Sequence, residues 1–386
     1  MTQRVGIGLG LALVVVLASG CGGDEAPEAA ATSAPPPPPA SVDAPAPSPS
    51  AAPPAPAGPP DLAAAPKEMA KGLDVPWGLT FLADGSAFVA ERETAKIRHI
   101  PAGGGAATEI YEVPGVEPAG EGGLLGIAVS PDFATDRWLY VYFTAADDNR
   151  IVRVKVDADH KGVGGEPEEL FTGIAKANIH NGGRIVFGPD GLLYVGTGDA
   201  NVKPRAQDPR SPNGKILRLT PDGKAAPGNP TEGSPIFSLG HRNVQGLAFD
   251  REGRLWATEF GQNRLDEVNL IEAGKNYGWP EVEGGSKNAA FANPKVTWTT
   301  AESSPSGMAI AGDTIYVAAL RGERVWTIPL NGTDTGEPKA EFREKYGRIR
   351  TVAVAPDGAL WVSTSNTDGR GDVRNGDDRI LRFPAS

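Results

Sequence analysis

Cysteine is nearly missing from this chain: of 386 residues only Cys21 carries a thiol, so no disulfide can form within one molecule. Histidine is scarce as well. The four present, His99, His160, His180 and His241, include no short-spaced HExxH-type pair, which excludes a histidine-rich zinc centre of that kind. Basic residues are in the minority, 37 Lys and Arg against 48 Asp and Glu, for a net charge of −11. With no basic tract to interrupt that balance, binding to nucleic-acid phosphates is excluded as a function class. Beyond residue 18 no apolar run approaches the length of a bilayer-spanning helix, and helical periodicity is almost absent. There is no G-x-S-x-G nucleophile elbow, and the AGGGAA stretch from Ala102 has no helix behind it to present to a phosphate. The Arg370-Gly371-Asp372 triplet reads as turn chemistry in a charged loop rather than as an adhesion motif.

The N-terminus has a different character. Arg4 precedes an apolar run from Val5 to Ala18, and Ala18-Ser19-Gly20 leads into Cys21 as a small-residue cleavage site. Residues 1–20 therefore read as a signal peptide that resembles a bacterial lipoprotein signal, with Cys21 as the lipid-bearing residue. An ordinary secretory signal is the alternative. Residues 21–66 are rich in alanine, proline and serine and cannot bury enough apolar surface to fold, so they are expected to be a lipidated, disordered linker. This arrangement predicts an extracytoplasmic protein held to the outer face of the bacterial cell membrane by a lipid anchor alone.

What the rest of the chain has is repetition. Six segments carry a short apolar strand, a Pro-Asp-Gly turn or a relative of it, and a second strand. They are GLTFLADGSAFVAE from Gly78, GIAVSPDFATDRWLYVYF from Gly126, RIVFGPDGLLYVGTGD from Arg184, GLAFDREGRLWATEFG from Gly246, GMAIAGDTIYVAAL from Gly307 and TVAVAPDGALWVSTS from Thr351. Behind each comes a third apolar strand, from IRHI at Ile97 to RILRF at Arg379. Hairpin-rich units of roughly 45–60 residues fit propeller blades. The expectation is an all-β fold, a six-bladed β-propeller over residues 67–386; two packed sandwiches would not explain a single repeating unit.

A propeller gathers the loops from one end of every blade around its axis, so function is sought there. His180 lies in HNGGR before the third copy, and Arg242 lies in GHRN at the matching place before the fourth. An imidazole can accept a proton and a guanidinium can hold an oxyanion or a carboxylate, although a lone loop histidine can also be structural. Arg348 and Arg350 flank Ile349, and strand alternation puts both on one face, suited to a small polyanion or to a solvated edge. Arg321 holds an equivalent place between blades. Glu259, Asp266 and Glu267, followed by the backbone around Gly274 to Tyr277, offer the oxygen donors that calcium takes, or else a solvated acidic loop.

In chain order, PWGLTF, GEGGLLGIAVSPDF, HNGGRIVFGPDG, GKILRLTPDG, LGHRNVQGLAFD, DEVNLIEAGKNYGWP, SPSGMA and GRIRTVAVAPDG together resemble the glucose/sorbosone dehydrogenase family, soluble aldose sugar dehydrogenases that use pyrroloquinoline quinone. The resemblance implies a quinone and a calcium ion in the propeller funnel, and oxidation of an aldose at its anomeric carbon to a lactone. By position it implies His180 as general base and Asp199 as the residue that orients it. Arg242 would stabilise charge on the quinone with Asn243 beside it, while Arg348 and Arg350 would grip its carboxylates. Arg321 stands where the family often has lysine, and Glu121 where it often has glutamine. The carbonyls of Gly261 and Gln262 would face the calcium ion, and Glu267 with the Tyr277 carbonyl would hold a second, structural one. Phe260, Gln262 and the Arg264-Leu265 pair depart from the family pattern, and the insert some relatives carry after Gly198-Asp199 is short here, implying an open site. The substrate partner implied is an aldose, with a separate electron acceptor. A propeller without cofactor that serves as a binding module, or a metal-dependent lactone hydrolase, are the competing functions for such a fold.

Overall fold

The computed structural model describes residues 58–386; the signal peptide, Cys21 and the linker as far as residue 57 lie outside the described residues. Six separate antiparallel sheets follow one another along the chain. The first blade runs through Pro76–Phe81, Ala87–Glu91, Lys96–Ile100 and Thr108–Glu112, and the second through Leu124–Val129, Trp138–Thr144, Asp148–Val156 and Val163–Ala175. The third comprises Ile185–Phe187, Leu193–Gly196, Lys215–Leu219 and Ile236–Leu239; the fourth, Val244–Phe249, Leu255–Glu259, Leu265–Ile271 and Val296–Thr299. The fifth starts with Pro305–Ala311, Thr314–Ala319 and Arg324–Asn331 and ends on Lys339–Glu341. The first strands of successive blades touch one another all the way round, with Ile349–Val354 of the sixth returning to Pro76–Phe81 of the first, so the sheets form a closed ring.

The sixth blade is composite. Ile349–Val354, Leu360–Thr364 and Ile380–Phe383 take Lys67–Ala70 as their outer strand, which closes the ring between its first and last segments. Order also reaches back past residue 67, where the linker was expected to end. Pro60 bridges Ala385, the Asp61 N–H donates to the Pro384 carbonyl at 2.8 Å, and Leu62 packs on the apolar cluster shared by blades five and six. The composition argument misses this because Pro59 needs only its carbonyl to join an edge, and that carbonyl accepts the Ser386 N–H at 3.0 Å.

The turns carry the chemistry expected of them. In Pro189-Asp190-Gly191 the glycine sits at φ 73°, its N–H closes on the Gly188 carbonyl at 2.9 Å, and Asp190 accepts the Leu192 N–H. Between every neighbouring pair of blades lies one apolar cluster, six in all, because each sheet is covered on both faces. Trp256, Trp298 and Trp326 fill the seam between blades four and five, and Trp361 with Met69 the seam between six and one. Truncating a buried tryptophan such as Trp256 to alanine is expected to cost about 3–5 kcal/mol. The core is thus a ring of wedges around the axis, and the axis itself is left to polar side chains.

Candidate active site

In an antiparallel blade, the loop that enters the first strand and the loop between the second and third strands lie at the same end. Every candidate residue for the main cavity falls on one of these loops or at its margin, whereas Glu267 lies within the third strand of blade four and Tyr277 in the connection that follows it. His180 and Glu121 precede the first strands of blades three and two, while Asp199, Gly261, Gln262 and Arg321 follow second strands. Arg242 and Arg348 precede the first strands of blades four and six, and Arg350 lies at the start of the latter. The loops enclose a cavity of about 430 Å³, within the usual size of a small-molecule site. His180, Arg242, Arg321, Arg348, Glu121, Gly261 and Gln262 all line it.

The glycines around His180 have a steric purpose. A β-carbon on Gly198 would overlap the His180 carbonyl, and one on Gly120 would overlap that of Asn178, so the loops approach each other as bare backbone. His180 itself is held at φ 62°, with its N–H donating to Glu121 Oε2 at 2.9 Å. Its Nδ1 lies 2.7 Å from Asp199 Oδ1, which fixes the ring and leaves Nε2 to the cavity. Asp199 is fully buried; its Oδ2 accepts the Trp279 indole N–H at 2.9 Å and its Oδ1 the Asn201 N–H at 2.7 Å. Burial opposes its charged form, but the bonds to His180, Trp279 and Asn201 outweigh it and hold this carboxyl below the usual range. Trp279 was not legible as a site residue, since it lies 80 positions from Asp199.

The Asp199 N–H also donates to the Arg242 carbonyl at 2.8 Å, and Asn243 Oδ1 accepts the Gly182 N–H at 2.9 Å, so the HNGGR and GHRN loops are tied to each other directly. The Arg242 guanidinium stands 5.5 Å from the Trp279 ring centre and donates to the Phe260 carbonyl at 3.1 Å. Among the described residues its Nε is buried without a partner, as is Asn243 Nδ2. Burial lowers the Arg242 pKa, with Asp199, Glu121 and Glu259 opposing.

Arg348 and Arg350 do share a face, and Ile349 turns into the apolar core. Their common partner is Asp368, buried in the loop after the sixth blade's second strand. It accepts from Arg348 Nε and Nη2 at 3.0 and 2.9 Å and stands 3.7 Å from Arg350 Nη2. Arg350 sits behind the cavity wall rather than on it, donates to Gln245 Oε1 at 3.0 Å, and is pulled down to about 9 by burial, its Nε left without a partner. Arg184, quoted in HNGGR but given no role by sequence, crosses the axis. It bonds the Gln245 carbonyl of blade four at 2.8 Å and Thr351 of blade six at 3.2 Å, and lies 4.2 Å over Trp77 of blade one.

Glu121 is paired. Arg370, from the Arg-Gly-Asp triplet, lines the cavity and reaches Glu121 Oε1 at 3.4 Å, so that motif contributes to the funnel instead of being only a turn. Four arginines, one of them with its Nε unpartnered, against Glu121 and Asp266 give the cavity an excess of donors, which suits a polycarboxylate ligand.

Below the Gly261–Gln262 wall, Asp266 accepts the Gly261 and Ser304 N–H groups at 2.9 and 2.6 Å and is pushed up to about 7 by burial. Glu267 does not reach the main cavity. With Glu259, Tyr277 and Glu283 it lines a separate hollow of about 10 Å³, the size of one water or ion. Burial and then Glu259 push the Glu267 carboxyl up, so a divalent cation there would relieve two crowded carboxylates.

The Glucose / Sorbosone dehydrogenase family model matches residues 73–381. The structure of the PQQ-bound aldose sugar dehydrogenase (Adh) from Streptomyces coelicolor superposes with a TM-score of 0.81 at 53% identity, covering 82% of this chain and 96% of that one. The aldose sugar dehydrogenase YliI of Escherichia coli is 30% identical over 334 residues, 77% of this chain and 89% of that protein. Quinoprotein glucose dehydrogenase B of Acinetobacter calcoaceticus is 32% identical over 259 residues, 58% of this chain and 54% of its own.

Proposed function

This chain belongs to the glucose/sorbosone dehydrogenase family, and we propose that it is a pyrroloquinoline-quinone-dependent aldose sugar dehydrogenase that oxidises the anomeric carbon to a lactone. The observation that carries the reading is the His180 imidazole, locked through Nδ1 to Asp199 and facing a cavity rimmed by Arg242, Arg321 and Arg348. When bound, the quinone would supply a two-electron hydride acceptor and calcium a Lewis acid beside it.

The chain's own residues supply the remainder. Asp199 keeps the proton on His180 Nδ1, so Nε2 is a free base that takes the proton of the sugar's anomeric hydroxyl. Arg242 places positive charge where oxygen on the acceptor gains electrons, and Trp279 holds both Asp199 and the face of Arg242. Arg348 and Arg321 on the cavity wall, with Arg350 behind it, would bind the carboxylates, and Asn243 stands beside Arg242. Glu121 spans His180 and Arg370 and so presents little free negative charge to them. The Gly261 and Gln262 carbonyls would hold the catalytic calcium, and Glu267 with the Tyr277 carbonyl the structural one.

The lipid anchor belongs to the same proposal. Cys21→Ser is expected to move the protein from the membrane fraction to the soluble one; unchanged fractionation would remove the anchor. For the activity, the purified protein is given the quinone with calcium and dye reduction is followed across a panel of aldoses. Turnover with a shifted quinone spectrum supports the reading. The absence of both a spectral change and turnover would defeat it.

A further inference from the structure

Glu283 has no part in the proposed chemistry, yet it is a heavily hydrogen-bonded carboxylate beside the cavity wall. Its Oε1 accepts four consecutive backbone N–H groups, from Gln262 at 2.7 Å, Asn263 at 3.0 Å, Arg264 at 2.8 Å and Leu265 at 3.1 Å. Asp266 takes the preceding N–H, that of Gly261. A trans peptide points its carbonyl opposite to its N–H. Once the amides of Gln262 and Asn263 are turned onto Glu283, the carbonyls of Gly261 and Gln262 must therefore face the other way, and these two residues line the cavity. The same logic holds one step earlier, where the Phe260 carbonyl opposite the Gly261 amide receives Arg242. Gly261 has no side chain for a matching reason: a β-carbon there would stand 2.6 Å from Glu283 Oε1 and overlap the Leu265 carbonyl. The carboxylate and the bare loop fit together as one device.

We infer that Glu283 is a positioning residue that sets the cavity's two calcium-facing carbonyls by gathering the amides of the 262–265 loop on its own carboxylate. It acts from behind the wall of the main cavity, which its carboxylate does not line. This rests on the proposed quinone and calcium chemistry, and it adds a residue more than twenty positions away from the carbonyls it orients. Glutamine at 283 keeps an oxygen acceptor in place, whereas alanine releases all four amides.

The test compares wild type, Glu283→Gln and Glu283→Ala as intact proteins. Hydrogen exchange of the 260–266 backbone is read without cofactor, and quinone retention is read by absorbance as calcium is titrated. Amides 262–265 are expected to exchange slowly in wild type and Glu283→Gln and at least tenfold faster in Glu283→Ala. The calcium concentration for half-retention is expected to rise at least tenfold in Glu283→Ala and less than threefold in Glu283→Gln. Equal calcium dependence in wild type and Glu283→Ala would overturn the inference. So would equal loss in Glu283→Gln and Glu283→Ala, which would make the carboxylate a direct ligand. A wild type that retains no quinone at any calcium concentration would instead refute the functional reading, and this role with it.

Discussion

His180 Nδ1 and Asp199 Oδ1 lie 2.7 Å apart, with both side chains closed off from solvent except where the imidazole meets the cavity. The pair joins a loop ahead of blade three to the end of that blade's second strand, and it decides which ring nitrogen can do chemistry. His180→Ala is expected to retain quinone while sugar oxidation falls by about 10²–10⁴-fold, the usual worth of a positioned base. Stopped-flow reduction of the bound quinone by aldose measures it; equal rates in both proteins would remove the assigned role.

Trp279 should act only through Asp199 and Arg242. Trp279→Phe keeps a ring beside Arg242 but removes the N–H that holds Asp199 Oδ2. A hydrogen bond to a charged group of this kind corresponds to roughly a 10- to 100-fold effect on rate. The fall is expected in kcat with quinone affinity nearly unchanged. Loss of affinity without loss of kcat would show that the tryptophan packs the cofactor instead.

The anionic end of the ligand gives a prediction of opposite signs. Arg348→Ala should weaken quinone binding by about 100-fold, because it removes a guanidinium and strands Asp368 near the ligand's carboxylates. Glu121→Gln should strengthen it modestly, since the amide oxygen still accepts the His180 N–H while Arg370 is released from its pair. Fluorescence titration of quinone into the apoprotein reads both. A Glu121→Gln variant that binds more weakly than wild type would mean that the charge is needed to hold the His180 loop.

Stability should depend on pH through His99, far from the cavity. Its ring packs on Phe88 and His160, its Nε2 has no protein partner, and burial, followed by His160, lowers its pKa from the ordinary value of 6.5. Asp84 opposes that shift but does not cancel it. The unfolded chain thus takes a proton below about pH 6.5 that the folded one resists, so this contribution destabilises as pH falls through 6.5 and levels off below the folded value. His99→Phe should flatten that part of the Tm-against-pH curve. An unchanged curve would place the acid sensitivity elsewhere.

Three strands of every blade could be read from the sequence because alternation and Pro-Asp-Gly turns act locally. The fourth could not. Outer strands such as Thr108–Glu112 and Lys339–Glu341 are short, partly exposed and polar, so nothing in their own residues marks them. The composite blade was hidden for another reason: Lys67–Ala70 becomes a strand only beside Ile380–Phe383, more than three hundred positions on. At the site, His180 and Arg242 were legible because glycine and asparagine mark their loops. Trp279, Asp368 and Glu283 were not, since each acquires its role from contacts with residues distant in the chain. Arg350 was identified, yet its withdrawal behind the wall follows from Gln245 and Asp368, which strand alternation cannot foresee.

The seam made by Lys67–Ala70 and Ile380–Phe383 also imposes an order of events. While the polypeptide is still being made, five blades can pair within themselves, but the sixth has only its Ile349–Val354 and Leu360–Thr364 hairpin until about residue 383 emerges. Arg348 and Arg350 belong to that last blade, so the arginine side of the cavity is the part of the site that closing the ring completes.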